Sequence, residues 1–214
     1  MKCLLCDRQL MRDTWSSLFT GKQDCVCKSC RASFNKIASS PERRYVKGTE
    51  LEGALDSIFC FYSYNSSMQN YFQRYKGEGD HILHLVFSKE LRLREPCVPI
   101  PSYQDSSFKR SFCHVDELFC GNNLLHLLKK TTSIKQSSRN LAQRIQSSNP
   151  FELLPGAQVP EKIVLIDDIF TTGVTMNQAA AILKKHGAKQ VHGICLVETL
   201  EKNDETETRK GIKL

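Results

Sequence analysis

One short stretch of the chain combines carboxylates, hydroxyls and a glycine in an order that suits the binding of a sugar phosphate. The apolar residues 163–166 predict a buried strand, and Asp167 and Asp168 close it. A hydroxyl-rich turn at residues 171–175 follows, and then a helical run begins. Unpaired N–H groups at a helix N-terminus attract anions, and carboxylates accept hydrogen bonds from ribose hydroxyls. This stretch therefore predicts a site for a ribose phosphate ester.

The turn between the predicted strand and helix supplies the groups that would surround the phosphate. Thr171, Thr172 and Thr175 carry hydroxyl donors, and Val174 lies among them. Gly173 lets the backbone approach the phosphate closely and tolerates a positive φ angle. The alternative is a strand, turn and helix whose Thr and Asp residues only cap the helix. Capping accounts for one acid or one threonine but not for the whole string, so we favour the phosphate site.

Two pairs of cysteines near the N-terminus have the spacing of metal ligands. Cys3 and Cys6 form the first Cys-x-x-Cys pair, and Cys27 and Cys30 form the second. Each pair places two thiolates on one tight turn, so two turns complete a tetrahedral four-sulfur site for structural Zn²⁺. The alternative is that these cysteines are small core residues. Cys25, beside the second pair, is a spare thiol that would compete as a ligand.

A segment as short as this module has little core of its own, so metal binding would supply most of its folding free energy. We therefore expect removal of the metal to unfold the chain up to about Phe34 and to spare the rest. The other cysteines stand in apolar contexts and are predicted to be ordinary buried residues: Cys60, Cys97, Cys113, Cys120 and Cys195.

The composition argues against a membrane-spanning chain and against a secreted chain held by disulfides. No apolar run among the 214 residues approaches the length of a transmembrane helix, and the N-terminus lacks the apolar core of a signal peptide. Without that signal, the paired cysteines are better explained as metal ligands than as disulfides. The formal net charge of +7 favours an anionic partner. We expect a cytoplasmic protein, either free or peripheral at the inner face of the membrane.

The elements around the predicted site form a strand–helix–strand unit. The helix ends at His186-Gly187, where glycine suits a C-cap, and buries residues at helical spacing: Met176, Ala179, Ala180, Ile182 and Leu183. A second strand is predicted over residues 190–197. Strands joined by a helical crossover pair in parallel, and open α/β sheets bind ligands at the carboxyl ends of their strands. The sequence therefore predicts an α/β fold with the phosphate turn at that edge.

The rest of the chain divides into further elements and parts. Strands are predicted over residues 57–64 and 97–101, and helices over 67–75, 81–93 and 114–129. The parts are a zinc-binding module at 1–38, a linker at 39–53, an α/β domain at 54–200 and a disordered tail at 201–214.

Residues 164–176 are similar, position by position, to the phosphoribosyl-pyrophosphate loop of type I phosphoribosyltransferases. With the cysteine pairs, they make the chain resemble the ComF family of competence proteins, and its ComFC type in particular. The other markers are Tyr75-Lys76, Gly79-Asp80 and Val98-Pro-Ile-Pro101. The resemblance runs from Cys3 to about Val197. It implies a type I phosphoribosyltransferase-like parallel sheet flanked by helices, a small N-terminal zinc-ribbon-like module, and a role in DNA uptake during natural transformation.

The resemblance also implies a ligand, phosphoribosyl pyrophosphate, bound together with Mg²⁺. Asp167 and Asp168 would hold the ribose hydroxyls and metal-bound water as the catalytic pair, and the threonine turn would hold the 5-phosphate. Lys76, Lys109 and Arg110 would bind the pyrophosphate; the alternative is that they are solvated surface cations.

One segment departs from the family pattern. Family members follow the Val-Pro-Ile-Pro strand with a loop that ends Arg-Gly-Phe-Asn-Gln, and this chain instead has Arg110-Ser-Phe-Cys-His114. In related transferases a flexible loop closes over the reacting sugar. The sequence therefore leaves open whether the site catalyses a reaction.

Three hypotheses for function follow. The first is a late competence protein that keeps the ligand site, handles incoming single-stranded DNA, and works with the competence helicase and other uptake or recombination proteins. The second is an active phosphoribosyltransferase, a glycosyltransferase that acts on an unidentified nucleobase or related acceptor. The third is a structural adaptor, which we favour least because an unused loop need not keep both acids and three threonines.

Two groups of residues suit contacts with nucleic acid. A basic run would contact phosphates: Lys129, Lys130, Lys135, Arg139 and Arg144. Tyr71, Phe72 and Tyr75, beside Arg74, would stack on bases. The alternatives are a solvated face and a helix that packs its aromatic residues inward, and the residues alone favour these alternatives.

Overall fold

Seven strands lie within residues 1–10, 24–39, 48–101, 113–131 and 149–199, which are the residues that the computed structural model of the chain describes. Their bounds are Lys36–Ser39 (β1), Ser57–Ser63 (β2), Cys97–Pro99 (β3), Leu128–Lys130 (β4), Phe151–Leu153 (β5), Lys162–Phe170 (β6) and Gln190–Glu198 (β7). Five of them form the main sheet in the order β1-β2-β7-β6-β3, while β4 and β5 form a separate antiparallel pair.

Four of the five strands in the main sheet run parallel to one another. β2 pairs with β7, β7 with β6, and β6 with β3, all in parallel, and β1 adds an antiparallel edge beside β2. The carboxyl ends of the parallel strands therefore meet at one edge of the sheet. This arrangement confirms the predicted α/β class.

Helices connect and cover these strands. Their bounds are Lys28–Ala32 (α1), Ser66–Phe72 (α2), His114–Leu118 (α3) and Val174–Lys185 (α4). Two further segments have other helical forms: a π-helix at Gln73–Glu78, directly after α2, and a 3₁₀-helix at His81–Val86. Within the described part of the chain, none of the helices is long and apolar enough to cross a membrane.

Both faces of the main sheet are buried, as the apolar run in β6 predicts. Successive strand residues point to opposite faces. Ile163 and Leu165 lie in one buried cluster with Ala179 of α4, whereas Val164 and Ile166 lie in the other cluster, which includes α2 and the 3₁₀-helix. Because β6 packs on both faces, its position in the sheet is fixed, and so is the position of the residues at its carboxyl end.

The helix predicted after the phosphate turn forms as α4, and Gly187 adopts φ +112° just beyond it, as expected for a C-cap glycine. The predicted buried residues of α4 are confirmed except for Ile182, which remains partly exposed while it packs against the core. The strand predicted over residues 190–197 forms as β7.

Two predicted helices are too long. The helix predicted over residues 81–93 is only the 3₁₀-helix, because Phe87 is fully buried among aromatic rings and leaves the helical path with φ −120°. The helix predicted over residues 114–129 is only α3, because Gly121 adopts φ +85° and breaks the run. Leu128 and Lys129, at the end of the predicted helix, instead belong to β4 and pair with β5.

The N-terminal segment shares its core with the sheet. Phe34 is almost fully buried, and its ring centroid lies 5.0 Å from that of Phe87 and 6.3 Å from those of Tyr62 and Tyr71. β1 begins two residues after Phe34 and joins the main sheet. The boundaries of the zinc module and linker stay predictions, and the predicted tail at 201–214 lies outside the described residues.

Candidate functional site

The acid pair lies near the carboxyl end of β6, at the edge where the parallel strands meet. β6 is longer than predicted, since it continues past the acids to Phe170. Asp167 and Asp168 are both only partly exposed. The Asp168 N–H donates to Asp167 Oδ1 at 2.9 Å, which fixes the first carboxylate against the backbone.

Lys76 reaches the acid pair from the π-helix that follows α2. Its ammonium forms an ion pair with Asp168 Oδ2 and lies 4.6 Å from the centroid of the Phe72 ring. The Asp168 side chain in this pair is only 13% exposed. The structure thus brings one of the three predicted pyrophosphate cations to the acids, whereas Lys109 and Arg110 lie outside the described residues.

Lys130 is a neighbour of the site that the sequence did not reveal. It ends β4, and its ammonium lies 6.0 Å from the centroid of the Phe151 ring on β5. Burial lowers the pKa of Lys130, and the charge of Asp167 opposes that shift. The sequence grouped this lysine with a basic run because no local pattern indicates that β4 and β5 pair across residues 131–150.

The surroundings of Asp167 make it hard to ionise. Burial first, and then the charge of Asp168, raise the pKa of Asp167 to about 8. The hydrogen bond from Asp168 N–H and the charges of Lys76 and Lys130 act in the opposite direction and are too weak to cancel the shift. Asp167 therefore carries a proton at neutral pH, and a bound cation would favour its release.

The threonine turn has the backbone that the sequence predicts. Gly173 adopts φ +77°, and a Cβ built at this position would lie 2.8 Å from Cζ of Phe170. Only glycine fits such a position without strain. Thr172 and Val174 are buried, while Thr171 is exposed and Thr175 is partly exposed, so the first and last threonines of the turn keep the most contact with solvent.

Asn177 is a second residue that sequence reasoning missed. It is almost fully buried; its Nδ2 donates to the Gly173 carbonyl at 2.9 Å, and its Oδ1 accepts from the Leu55 N–H at 3.2 Å. This amide ties the turn to the segment that leads into β2. A polar residue at a buried position of the predicted helix was the available signal, since buried amides need partners.

The four predicted cysteines come together, and their geometry fits a metal. The sulfurs of Cys3, Cys6, Cys27 and Cys30 all lie within 4.8 Å of one another. Tetrahedral zinc with Zn–S bonds of about 2.3 Å requires sulfurs about 3.8 Å apart, and Cys6 Sγ and Cys27 Sγ are 3.8 Å apart. We call residues 3–6 and 27–30 the knuckle.

Backbone groups support the sulfurs of the knuckle. The Cys27 N–H donates to Cys3 Sγ at 3.3 Å, and the Cys30 N–H donates to Cys27 Sγ at 3.5 Å. Cys25 does not compete for the site, because it is buried and its thiol donates to the Leu85 carbonyl at 3.3 Å. Burial raises the pKa of Cys25, which keeps it a thiol.

The aromatic residues that suggested base stacking face the core instead. Tyr71, Phe72 and Tyr75 are all buried, and the Tyr75 hydroxyl donates to the His114 carbonyl at 2.7 Å. The stacking interpretation is therefore wrong. In the basic run, Lys129 pairs with Glu152 at 2.9 Å, and Lys135, Arg139 and Arg144 lie outside the described residues.

Comparisons with known proteins match the part of the chain that contains β6 and the turn after it. The model of the phosphoribosyl transferase domain matches residues 124–212. The structure also has a weak likeness to a hypoxanthine phosphoribosyltransferase from Staphylococcus aureus, with a TM-score of 0.30 and 11% identity over 63% of this chain and 73% of the other; a likeness of this size carries no argument.

The relatives that match over most of the chain are competence proteins. The chain is 36% identical to competence protein ComFC of Streptococcus pneumoniae over 92% of this chain and 100% of the relative. It is 30% identical to competence protein ComFC of Bacillus subtilis over 92% and 95% of the two chains, and 28% identical to the DNA utilization protein YhgH of Escherichia coli over 56% of each. The chain belongs to the ComFC family of competence proteins.

Proposed function

We propose that this chain is a late competence protein for natural transformation that binds phosphoribosyl pyrophosphate, or a similar sugar phosphate, at the acid pair of β6. The observation that carries the proposal is the meeting of Asp167, Asp168 and Lys76 beside the Gly173 turn, at the carboxyl edge of a parallel sheet. Carboxylates suit ribose hydroxyls, and an ammonium suits a phosphate, so the three groups together fit a charged sugar ester.

The first turn of α4 would hold the phosphate of this ligand. α4 begins at Val174, and the Asn177 N–H is already bonded to the Gly173 carbonyl at 2.9 Å. The N–H groups of the preceding residues have no partner within a helix and carry its positive dipole end. Gly173, with φ +77°, directly precedes these residues, and Thr171 would add an exposed hydroxyl.

Asp167 and Asp168 would hold Mg²⁺, which would supply positive charge to offset that of the pyrophosphate. Carboxylate oxygens are ligands that Mg²⁺ prefers, so the acid pair fits this ion. In the free site Lys76 neutralises Asp168. When the ligand binds, Lys76 would move its charge to the pyrophosphate, and a cation held beside the acid pair would favour release of the Asp167 proton to the solvent.

The proposed role in DNA uptake rests on the names of the relatives and on the net positive charge of the chain. ComFC is named a competence protein and YhgH a DNA utilization protein, and the net charge of +7 favours a polyanion. We propose that the chain handles incoming single-stranded DNA together with the competence helicase and other uptake or recombination proteins.

A transformation assay tests whether the pocket serves this role. A naturally transformable host would carry the intact gene, the Asp167→Asn/Asp168→Asn variant, or the Glu152→Gln/Glu161→Gln control. The control removes two exposed carboxylates that also pair with lysines. We expect the acid-pair variant to lose at least about nine-tenths of its transformants and the control to lose none. Equal transformation by all three genes would contradict the proposal.

An active transferase is the second candidate, because the match to the phosphoribosyl transferase domain covers β6 and its turn. Release of pyrophosphate from phosphoribosyl pyrophosphate, measured with a panel of nucleobases, tests it. Release that needs both a base and the intact acid pair would favour the transferase. Failure across a broad panel, with binding intact, would leave a ligand-binding competence protein.

A further inference from the structure

The knuckle contacts the helix of the candidate ligand site through one arginine. Arg74 Nη1 donates to the carbonyl of Leu5, which lies between the metal-ligand positions Cys3 and Cys6, at 3.3 Å. Arg74 Nη2 binds Asp80 Oδ2 at 2.7 Å. One partly buried guanidinium therefore joins the first cysteine turn to the π-helix that carries Arg74.

The same π-helix carries the lysine of the ligand site. Lys76 lies two positions after Arg74 in Gln73–Glu78 and forms the ion pair with Asp168. The Asp80 N–H closes the turn by donating to the Arg74 carbonyl at 3.1 Å. π-helices are rare and occur frequently at functional sites. The hydrogen bonds of Arg74 to Leu5 and Asp80 anchor this one.

A second set of contacts fixes the knuckle on the domain. Arg31 Nη1 donates to the Val86 carbonyl at 2.8 Å, and Cys25 Sγ donates to the Leu85 carbonyl at 3.3 Å. These contacts hold the second cysteine turn against the 3₁₀-helix. With both turns joined by a metal, the Leu5 carbonyl becomes a fixed point for Arg74.

We propose that the metal-bound knuckle positions Lys76 through Arg74, so that metal occupancy and affinity for a phosphorylated sugar are coupled. The proposal rests on the ligand site proposed above. Without metal, the turn around Leu5 loses the bonds that shape it, and Arg74 loses its carbonyl partner. Coupling between two sites is reciprocal, so the sugar phosphate also raises metal affinity by the same factor. We expect a factor of about ten, within the usual range of such couplings.

The first test measures binding of Mg²⁺–phosphoribosyl pyrophosphate by calorimetry on the zinc-loaded full chain. Arg74→Met keeps the alkyl stem and removes the guanidinium, and we expect about tenfold weaker binding with an unchanged zinc content. Arg92→Met is the matched control, because Arg92 also donates to a backbone carbonyl, that of Gly121, at 2.7 Å. Equal affinity in the Arg74 variant and the wild type would overturn the proposal.

A second, milder variant keeps the proposal testable if Arg74→Met does not fold. Asp80→Asn leaves the guanidinium in place and removes only the charge that holds it. We expect a smaller loss of affinity, of about threefold, with a thermal unfolding midpoint close to that of the wild type. A folded Asp80→Asn protein that binds as the wild type does, together with a misfolded Arg74→Met protein, would count against the link.

The reciprocal test measures zinc affinity by competition with a coloured chelator. Saturating phosphoribosyl pyrophosphate should raise the apparent zinc affinity of the wild type about tenfold and that of Arg74→Met hardly at all. An equal rise in both proteins would mean that the coupling runs elsewhere and would overturn the assignment of Arg74.

A measurement made without ligand distinguishes failure of this proposal from failure of the proposed function. Lysines labelled with ¹³C-methyl groups report their surroundings by NMR, and Lys76→Arg identifies the Lys76 signal. The signal should move toward that of a free lysine in Arg74→Met and on removal of zinc. An unmoved signal overturns the proposal even if the sugar phosphate binds. A moved signal in a protein that does not bind the sugar phosphate supports the link and overturns the proposed ligand.

Discussion

Replacement of Asp167 by asparagine should stabilise the protein, and more so as the pH rises. The pKa of Asp167 is raised from 3.8 to about 8, so the native state keeps a proton that the unfolded chain releases between these values. Stability therefore falls with rising pH across that window, by up to about 1.4 kcal/mol per pH unit. Over the roughly three pH units between 3.8 and 7, the free energy of unfolding therefore falls by about 4 kcal/mol.

The expected gain is smaller than this upper value because Asp167 keeps part of its surface exposed. We expect Asp167→Asn to be about 2 kcal/mol more stable than the wild type at pH 7 and nearly equal to it at pH 4. Asparagine cannot ionise, and its Oδ1 still accepts the Asp168 N–H. Urea denaturation at several pH values measures the difference directly.

Asp168→Asn is the informative control. The charge of Asp168 is the second cause of the raised pKa of Asp167, so its removal should lower that pKa and weaken the dependence of stability on pH. It also leaves Lys76 without its ion-pair partner. An Asp167→Asn protein that is less stable than the wild type at pH 7, or a difference that does not vary with pH, would refute the reasoning.

Three further predictions concern the turn, the knuckle and the site lysine. Gly173→Ala should lower the free energy of unfolding, measured with urea, by about 1–3 kcal/mol more than Gly156→Ala does. Gly156 shares a φ near +75° but has open space where a Cβ would lie. Equal losses of stability would contradict the predicted clash at Gly173. Chelation should speed hydrogen exchange around Phe34 and also at Tyr62 of β2, which Phe34 contacts, unlike the confined unfolding expected from the sequence; faster exchange confined to the knuckle would contradict the shared core. Lys76→Met should weaken binding of phosphoribosyl pyrophosphate roughly tenfold, whereas Lys184→Met, which loses another ion pair, should not; calorimetry distinguishes them.

The sequence predicted the local order of strand, turn and helix at the candidate site better than it predicted the elements around it. The order of strand, acids, glycine and helix is local, so the residues from Asp167 to Thr175 could be placed from the chain alone. The cysteine pairs were predictable for the same reason, because each turn needs only a Cys-x-x-Cys pattern. The full extent of β6 was missed because acidic residues at a strand end look like its boundary.

What the sequence could not give depends on contacts between distant segments. Lys130 comes near Asp167 only because β4 pairs with β5, and no local pattern predicts that pairing. The short form of the helix at residues 81–86 follows from the burial of Phe87, where tertiary packing overrides helical periodicity. The link from Leu5 to Arg74 likewise needs the folded chain.

Calorimetric titration of the zinc-loaded full chain with Mg²⁺–phosphoribosyl pyrophosphate tests the central claim most directly. We predict one ligand per chain for the wild type and for the Glu152→Gln/Glu161→Gln control. For Asp167→Asn/Asp168→Asn, loss of two charged hydrogen-bond partners should weaken binding roughly hundredfold or more, while the protein stays folded. No binding by the wild type, or equal binding by all three proteins, would contradict the claim that the acid pair of β6 holds a ribose phosphate.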